Sequence, residues 1–359
     1  LHVSRAEIDL PRDIDAHADA VYDRAARTFA GMQRDGVLVR DSAPRYYAYR
    51  MTMGGHTQTG IAAAASTSAY ATNRIRRHEH TRPDKEEDRA RQIEAVGAHT
   101  GPVLTAHPSV PSIERLLDAV TEGAPLADAM TDDGVRHQVW PVAEADAIEQ
   151  LTAAFEAMPA IYIADGHHRS AAALRVGAGN GDGRFLIVSF PAEQMRILGY
   201  NRIVRDLNGR SPEQLVAEIE ADFAVSPSET PVQPAGPGGF GMYLAGRWYD
   251  LRLRRALPTA LGAVDRLDVS LLMARILTPI LGIGDPRTDQ RIDFVGGGRG
   301  LADLARRVDD DGWAVAFSLF PTALADLMAV ADAGAVMPPK STWFEPKLAD
   351  GLLSLPVGG

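Results

Sequence analysis

A short apolar run, residues 161–164, leads through Asp165 and Gly166 directly into an alanine-rich segment that extends to Val176. The run predicts a buried strand and the segment predicts a helix, so the chain must turn sharply at Gly166. Such a turn leaves the first N–H groups of the helix without partners, at the positive end of its dipole. The turn is therefore a candidate binding site for an anion such as a nucleotide phosphate.

Strand and helix patterns alternate along the chain, which predicts the α/β class in a mixed α+β form. Helices are predicted at 13–36, 83–96, 111–121, 143–157 and 267–281, strands at 102–106, 184–190, 291–295 and 313–319, and hairpins around Gly54–Gly55 and Gly246. Thr81 is a candidate cap for the second helix, Pro83 suits its first turn and Gly97 its end. Residues 226–239 hold four prolines and three glycines and are predicted to form a linker or surface loop.

Composition narrows the classes of function. The absence of cysteine excludes disulfides and thiolate metal sites and favours a cytoplasmic location. A formal net charge of −10 makes nucleic acid an unlikely partner. The most apolar stretch, residues 271–283, is too short to span a membrane and contains Arg275. The chain opens at Leu1 without a signal pattern. It also lacks an initiator methionine, so we expect that an N-terminal piece is absent from it.

The turn carries four polar residues, Asp165, His167, His168 and Arg169, around Gly166. Arg169 offers a planar fork to two phosphate oxygens, and Asp165 can hold a magnesium ion or orient a histidine. The alternative is that these residues only cap the helix. Zinc binding by His167 and His168 together is disfavoured, because adjacent helical side chains point about 100° apart. The chain contains no P-loop motif.

A second group is the basic segment 74–82, in which Glu79 follows His78 and lies among several arginines, including Arg77 and Arg82. The surrounding positive charge favours an ionised carboxylate, as a base that accepts a hydroxyl proton requires. The arginines are candidate ligands for a substrate or its phosphate. The alternative is a solvated, salt-bridged start of a helix.

A third group lies in the proline-stiffened segment 336–347, which presents Lys340, Ser341 and Thr342. Three prolines restrict this segment, so little conformational freedom is lost when it binds a ligand. The alternative is a rigid strap packed on the core.

The three groups, together with His2–Glu7, resemble a bacterial family catalogued as a domain of unknown function, number 1015. The resemblance extends over nearly the whole chain. The family is similar to archaeal free serine kinases, whose fold looks like that of ParB and sulfiredoxin. The link to the kinases depends on the His-Glu pair, the Asp-Gly-His-His-Arg box and the late Pro-Lys-Ser-Thr element, in that order.

The resemblance implies a ParB/sulfiredoxin-like nucleotide-binding core at 1–205 and a further C-terminal α/β region at 206–359, whose end (336–348) returns to the site. It implies that Glu79 is the catalytic glutamate with His78 before it, and that residues 165–169 bind the nucleotide phosphates. Lys340 would join Glu79 in catalysis, while Ser341 and Thr342 contact substrate or phosphate.

The resulting hypothesis is phosphoryl transfer from ATP or ADP, with Mg²⁺, to the hydroxyl of free L-serine or a related hydroxyl compound. Two rivals remain open. One is a ParB-like regulator that binds nucleotide without acting on a metabolite, and the other is a metal-dependent hydrolase that uses the histidines. The sequence gives no indication of the oligomeric state.

Overall fold

The computed structural model describes residues 1–179, 183–258 and 260–358. The described residues divide into two compact units, here unit 1 (Leu1–Met195 with Pro346–Gly359) and unit 2 (Arg196–Glu345). Helices and strands alternate in both, which confirms the mixed α+β class.

The strands are, in chain order, β1 (Tyr46–Met53), β2 (His56–Ser66), β3 (Ile75–Arg76), β4 (Ala98–His99), β5 (Val103–His107), β6 (Ala127–Met130), β7 (Val135–Val142), β8 (Ile161–Asp165), β9 (Arg184–Pro191), β10 (Ile197–Leu198), β11 (Tyr200–Val204), β12 (Phe223–Ser228), β13 (Gly239–Leu244), β14 (Arg247–Leu253), β15 (Ile292–Gly296), β16 (Val315–Leu319), β17 (Trp343–Phe344) and β18 (Leu355–Pro356). The α-helices are α1 (Asp19–Arg34), α2 (Thr67–Ala71), α3 (Pro83–Val96), α4 (Pro111–Val120), α5 (Ala145–Ala157), α6 (His167–Gly179), α7 (Pro212–Ile219), α8 (Asp268–Leu272), α9 (Gly300–Asp310) and α10 (Leu324–Asp332). Short 3₁₀ turns cover Ala6–Asp9, Ala192–Gln194 and Gly297–Arg299. Within the described residues, no helix is both long and apolar enough to cross a bilayer.

The main sheet of unit 1 has the strand order β3-β8-β5-β9-β2-β1-β7-β6. The hairpin predicted around Gly54 is confirmed as β1 and β2, where Met53 faces His56 across the turn. Apolar side chains of the sheet pack against α4 and α5 and form a buried core that includes Ile163. β3 and β8 run parallel, with Ile75 beside Ile161, so both strands end at the same edge of the sheet.

The start of α1 and the cap of α3 differ from the sequence-based prediction. α1 begins at Asp19 rather than near residue 13, because the Asp15 side chain accepts a hydrogen bond from the His17 N–H and supports a turn. The predicted Thr81 cap of α3 is wrong: Arg82 is the extended residue before Pro83, and the Thr81 hydroxyl donates to Glu86 instead. The predicted end of α3 at Gly97 is confirmed, with a left-handed φ of 70°.

The last residues of the chain complete unit 1. β18 pairs with β4, so that Leu355 faces His99, and the Val357 N–H donates to the Gly97 carbonyl at 2.9 Å. The Gly351 N–H donates to the Thr100 carbonyl at 3.0 Å. These bonds hold residues 350–357 along the segment that leads from α3 into β5.

The main sheet of unit 2 has the order β12-β14-β13-β16-β11-β15. The surface loop predicted from residue 226 is wrong for its first residues, which belong to β12 up to Ser228. Pro227 is tolerated there because β12 is an edge strand. The helix predicted at 267–281 is α8 followed by a π-helical turn at Met273–Leu277.

Candidate functional site

The ends of β3 and β8 bring together two of the three predicted groups. His78 and Glu79 follow β3, and His167 opens α6 after β8. Since the two strands are parallel neighbours, their carboxyl ends meet at one edge of the sheet, where open α/β sheets commonly bind ligands. The structure therefore places the His-Glu pair beside the Asp-Gly-His-His-Arg box.

The contact between the two groups is made by His78, Glu79 and His167. The rings of His78 and His167 meet edge to face, with centroids 4.5 Å apart and an interplanar angle of 87°. Nδ1 of His167 lies 3.8 Å from Oε2 of Glu79. One ligand atom of each residue lies within 4.8 Å of the other two. We call these three residues the His-Glu-His cluster.

Both histidines of the cluster are buried, at 3% exposure for His78 and 4% for His167, whereas the Glu79 side chain is 51% exposed. Burial lowers the pKa of His78 to about 4, partly offset by a hydrogen bond to the backbone of Ile163. Burial also holds the pKa of His167 well below its ordinary value, and the neighbouring His78 lowers it further. Both imidazoles are therefore neutral at pH 7. Nδ1 of His78 and Nε2 of His167 have no hydrogen-bond partner among the residues that the structure describes.

Gly166 makes the turn from β8 into α6 with a φ of 103°, a conformation that side chains rarely permit. The Ser170 N–H bonds to the Gly166 carbonyl at 3.0 Å and starts the helical ladder. The three preceding amides, of His167, His168 and Arg169, precede the first intrahelical bond and lie at the positive end of the helix. The turn is thus the start of a helix with its first amides ahead of the helical ladder, and the binding of an anion there remains a prediction.

His168 is separated from the cluster by its own contact. Its Nε2 accepts a hydrogen bond from the Arg82 N–H at 3.2 Å, and burial lowers the pKa of its ring. The Arg82 guanidinium pairs with Asp84 at 2.7 Å. Arg77 lies over the ring of Tyr70, 5.6 Å from the centroid. Arg77 and Arg82 thus flank the His-Glu pair in sequence, and both side chains already have a protein partner.

Arg169 also has protein partners, which the sequence did not indicate. Its Nη1 donates to the Pro102 carbonyl at 2.5 Å, and its Nη2 donates to Asp165 at 3.2 Å. Asp350 lies 4.0 Å from Nη1. Arg169 therefore binds the loop before β5 and the end of the chain, and a phosphate would meet a guanidinium whose donors are partly used.

Asp165 is the residue predicted to hold magnesium, and its side chain is 48% exposed. Mg²⁺ in proteins is commonly held by one or two carboxylates together with substrate phosphates. A single half-exposed carboxylate beside the first amides of α6 would suit an ion that arrives with a nucleotide. The Arg169 contact at 3.2 Å would compete with that ion for the same oxygen.

Lys340, Ser341 and Thr342 belong to unit 2 and are described there alone. Lys340 has a left-handed φ of 58°, and its Nζ lies 5.7 Å from the centroid of the Tyr200 ring. The Ser341 hydroxyl is buried and donates to the Pro338 carbonyl at 2.6 Å, while Thr342 is partly exposed. That these residues return to the site of Glu79 remains a prediction.

Sequence reasoning missed Arg202, which shapes the segment around Lys340. Arg202 is buried at 4% exposure and donates to the Lys340 carbonyl at 2.9 Å and to the Pro339 carbonyl at 3.4 Å. Its guanidinium lies 4.9 Å from the Phe294 ring centroid. Burial lowers the pKa of Arg202 to about 9. The run of residues 200–204 shows only strand periodicity, so nothing in it marked this arginine.

Comparison with known families decides the classification. Residues 1–270 match the family described as "Protein of unknown function (DUF1015)". The chain belongs to the DUF1015 family. The His-Glu-His cluster and the box of this DUF1015 chain lie inside the matched part, whereas residues 340–342 lie beyond it. No curated protein matches the chain.

Several solved structures are similar to this DUF1015 chain at low identity. A conserved hypothetical protein from Pyrococcus furiosus is 14% identical, with 80% of this chain and 93% of that chain covered and a TM-score of 0.39. SbnI with a C-terminal truncation, from Staphylococcus aureus, is 14% identical, with coverages of 82% and 87% and a TM-score of 0.44. A free serine kinase in complex with AMP is 13% identical, with coverages of 82% and 91% and a TM-score of 0.42.

Proposed function

We propose that this DUF1015 protein transfers a phosphoryl group from ATP or ADP to the hydroxyl of free L-serine and so forms O-phospho-L-serine. The observation that carries the proposal is the 3.8 Å approach of the Glu79 carboxylate to the ring of His167, the residue that opens α6. A group able to accept a hydroxyl proton thus lies beside amides able to hold a phosphate.

The phosphate end of the proposed site consists mainly of main-chain groups. The amides of His167, His168 and Arg169 sit at the start of α6, and Gly166 lets the chain turn closely beneath a bound anion. Phosphoryl transfer requires mainly positioning and neutralisation of charge. Arg77, whose partner Tyr70 is uncharged, adds positive charge beside the His-Glu pair and favours the approach of an anionic nucleotide, whereas the charge of Arg82 is balanced by Asp84.

The acceptor end of the proposed site is Glu79. The serine oxygen attacks the terminal phosphorus of the donor, the bond from that phosphorus to the nucleotide breaks, and the hydroxyl proton passes to the Glu79 carboxylate. The products are phosphoserine and ADP or AMP. His167 is neutral and buried, so its ring is a fixed neighbour against which the half-exposed carboxylate is oriented.

A magnesium ion bound with the nucleotide would neutralise charge on the phosphates, and Asp165 is the carboxylate in place to hold it. A role of Lys340, Ser341 and Thr342 towards substrate or phosphate remains a prediction from the motif resemblance. The choice of serine and of ATP or ADP rests on the resemblance in the order of the three motifs.

The direct test is to incubate purified protein with L-serine, Mg²⁺ and either ATP or ADP, and to measure phosphoserine by mass spectrometry. Glu79→Gln keeps the size of the side chain and removes its basicity, so we expect turnover to fall by about 10²-fold or more. His80→Ala is the matched control, because His80 is exposed and adjacent to Glu79 but outside the cluster.

The outcomes separate the proposal from its rivals. Nucleotide binding with no phosphoserine from either donor would favour a nucleotide-binding regulator. Turnover of Glu79→Gln close to that of the unaltered protein would remove Glu79 from the role of base, even if serine is phosphorylated.

A further inference from the structure

We infer that His78, Glu79 and His167 form a binding site for a divalent transition-metal ion such as Zn²⁺. The inference depends on the ligand atoms of the His-Glu-His cluster alone and does not require phosphoryl transfer. It concerns a different ion and different ligands from the magnesium proposed at Asp165.

The ligand chemistry of the cluster favours a transition metal. Two imidazoles and one carboxylate are the protein ligands of several catalytic zinc sites, whereas Mg²⁺ prefers oxygen ligands. Three protein ligands leave a coordination position open for water or substrate. The nitrogen-rich cluster therefore suits Zn²⁺ or a neighbouring first-row metal better than it suits magnesium.

The buried histidine nitrogens give a second, independent reason. Nδ1 of His78 and Nε2 of His167 are buried without a hydrogen-bond partner in the described part of the chain, and Nδ1 of His167, which lies 3.8 Å from Oε2 of Glu79, is the alternative ligand atom of that ring. Native proteins rarely leave buried polar atoms unpaired, and a bound ion is one of the recognised explanations. Two such atoms occur here on rings whose centroids are only 4.5 Å apart.

The ligand atoms of the cluster need to move only a short distance towards one another to bind an ion. The ligand atoms lie within 4.8 Å of one another, while tetrahedral zinc with bonds of about 2.1 Å places its ligand atoms about 3.4 Å apart. The two histidines are anchored at the end of β3 and the start of α6. Glu79 is half exposed, so the cluster can be reached from solvent.

The histidines that form the cluster could not be predicted from their spacing along the chain. Adjacent His167 and His168 do not share a site, since His168 accepts a bond from the Arg82 N–H. His167 instead contacts His78. His78 follows β3 and His167 follows β8, and these two strands become neighbours only in the folded sheet.

A metal ion bound by the cluster would occupy the Glu79 carboxylate, which is the proposed base. Zn²⁺ should therefore inhibit serine phosphorylation.

The test is calorimetric titration of tag-free protein with Zn²⁺. A second titration uses Co²⁺, because the visible absorption spectrum of bound Co²⁺ depends on the number and geometry of its ligands. We expect one ion per chain. Glu79→Gln and His167→Gln should each weaken Zn²⁺ binding by about 100-fold or more, since even the loss of an outer partner of a metal ligand costs 10–100-fold. His80→Ala should bind Zn²⁺ as the unaltered protein does.

The inference is overturned if the unaltered protein shows no one-to-one binding of either ion, or if Glu79→Gln binds Zn²⁺ as tightly as the unaltered protein. The half-exposed Glu79 variant decides the matter should His167→Gln fail to fold by circular dichroism. Metal binding, together with no phosphoserine formation by protein freed of transition metal and supplied with Mg²⁺, would leave this inference standing and remove the proposed function. Phosphoserine formation without metal binding would do the reverse.

Discussion

Replacing Gly166 by alanine should destabilise unit 1 through the turn that leads into α6. The φ of 103° lies in a region that L side chains sparsely populate, which costs about 1–3 kcal/mol. A Cβ would also lie 3.2 Å from Nε of Arg169 and 3.4 Å from Cα of Val103. The arginine can yield a few tenths of an ångström, so the backbone strain is the main cost. Alanine also restricts the unfolded chain, which offsets roughly 0.4–1 kcal/mol. The expected net loss is about 1–2 kcal/mol.

The measurement is urea denaturation of Gly166→Ala at pH 7, followed by circular dichroism. Gly55→Ala is the matched control: it lies in the β1–β2 turn, and a Cβ there meets no described atom within 4 Å. The control should change the free energy of unfolding by less than about 0.5 kcal/mol. Strain at the start of α6 also predicts weaker ADP binding by Gly166→Ala in calorimetry. Equal denaturation midpoints for the two variants would refute the strain argument at Gly166.

Three further predictions concern charged and titratable side chains. The pKa of His78, lowered by burial to about 4, means that the unfolded chain binds more protons below about pH 6.5. The urea denaturation midpoint should therefore decrease as the pH is lowered from about 6.5 to 4. In His78→Gln the decrease over the same pH range should be smaller. Burial raises the pKa of Asp268 to about 6, so the stability from its neutral form is lost as pH rises from about 4 through 6. Asp268→Asn, which can still accept the Gly238 N–H bond, should raise the midpoint at pH 7.5 and not at pH 4. Arg169→Ala removes the bond to the Pro102 carbonyl and a donor at the turn, and should weaken ADP binding roughly tenfold or more by calorimetry; an unchanged affinity would remove Arg169 from the phosphate site.

The local parts of the site could be predicted because their signals lie next to each other in the sequence. The apolar run of β8, Gly166 and the alanine-rich start of α6 determine a strand, a turn and a helix within a few residues. Gly97 likewise marked the end of α3. Periodicity and glycine chemistry act over such short distances, so these elements follow from the sequence alone.

The contact between His78 and His167 could not be derived in this way. It depends on β3 pairing beside β8, although β3 has only two paired residues and the two strands are about 85 residues apart. No local pattern sets that neighbourhood, and only the family resemblance linked the two motifs. The partners of Arg169 were missed for the same reason, because Pro102 and Asp350 reach it from distant parts of the chain.

The pairing of β18 with β4 has a consequence for how the protein is made and handled. During synthesis, residues 1–195 leave the ribosome well before residues 346–358. Until the later residues are made, β4 lacks its partner strand β18, and Arg169 lacks its contact with Asp350. A fragment that stops near residue 195 should therefore be an incomplete substitute for unit 1. Proteolytic clipping after Glu345 should likewise disturb the neighbourhood of Arg169, although the cut lies far along the chain from it.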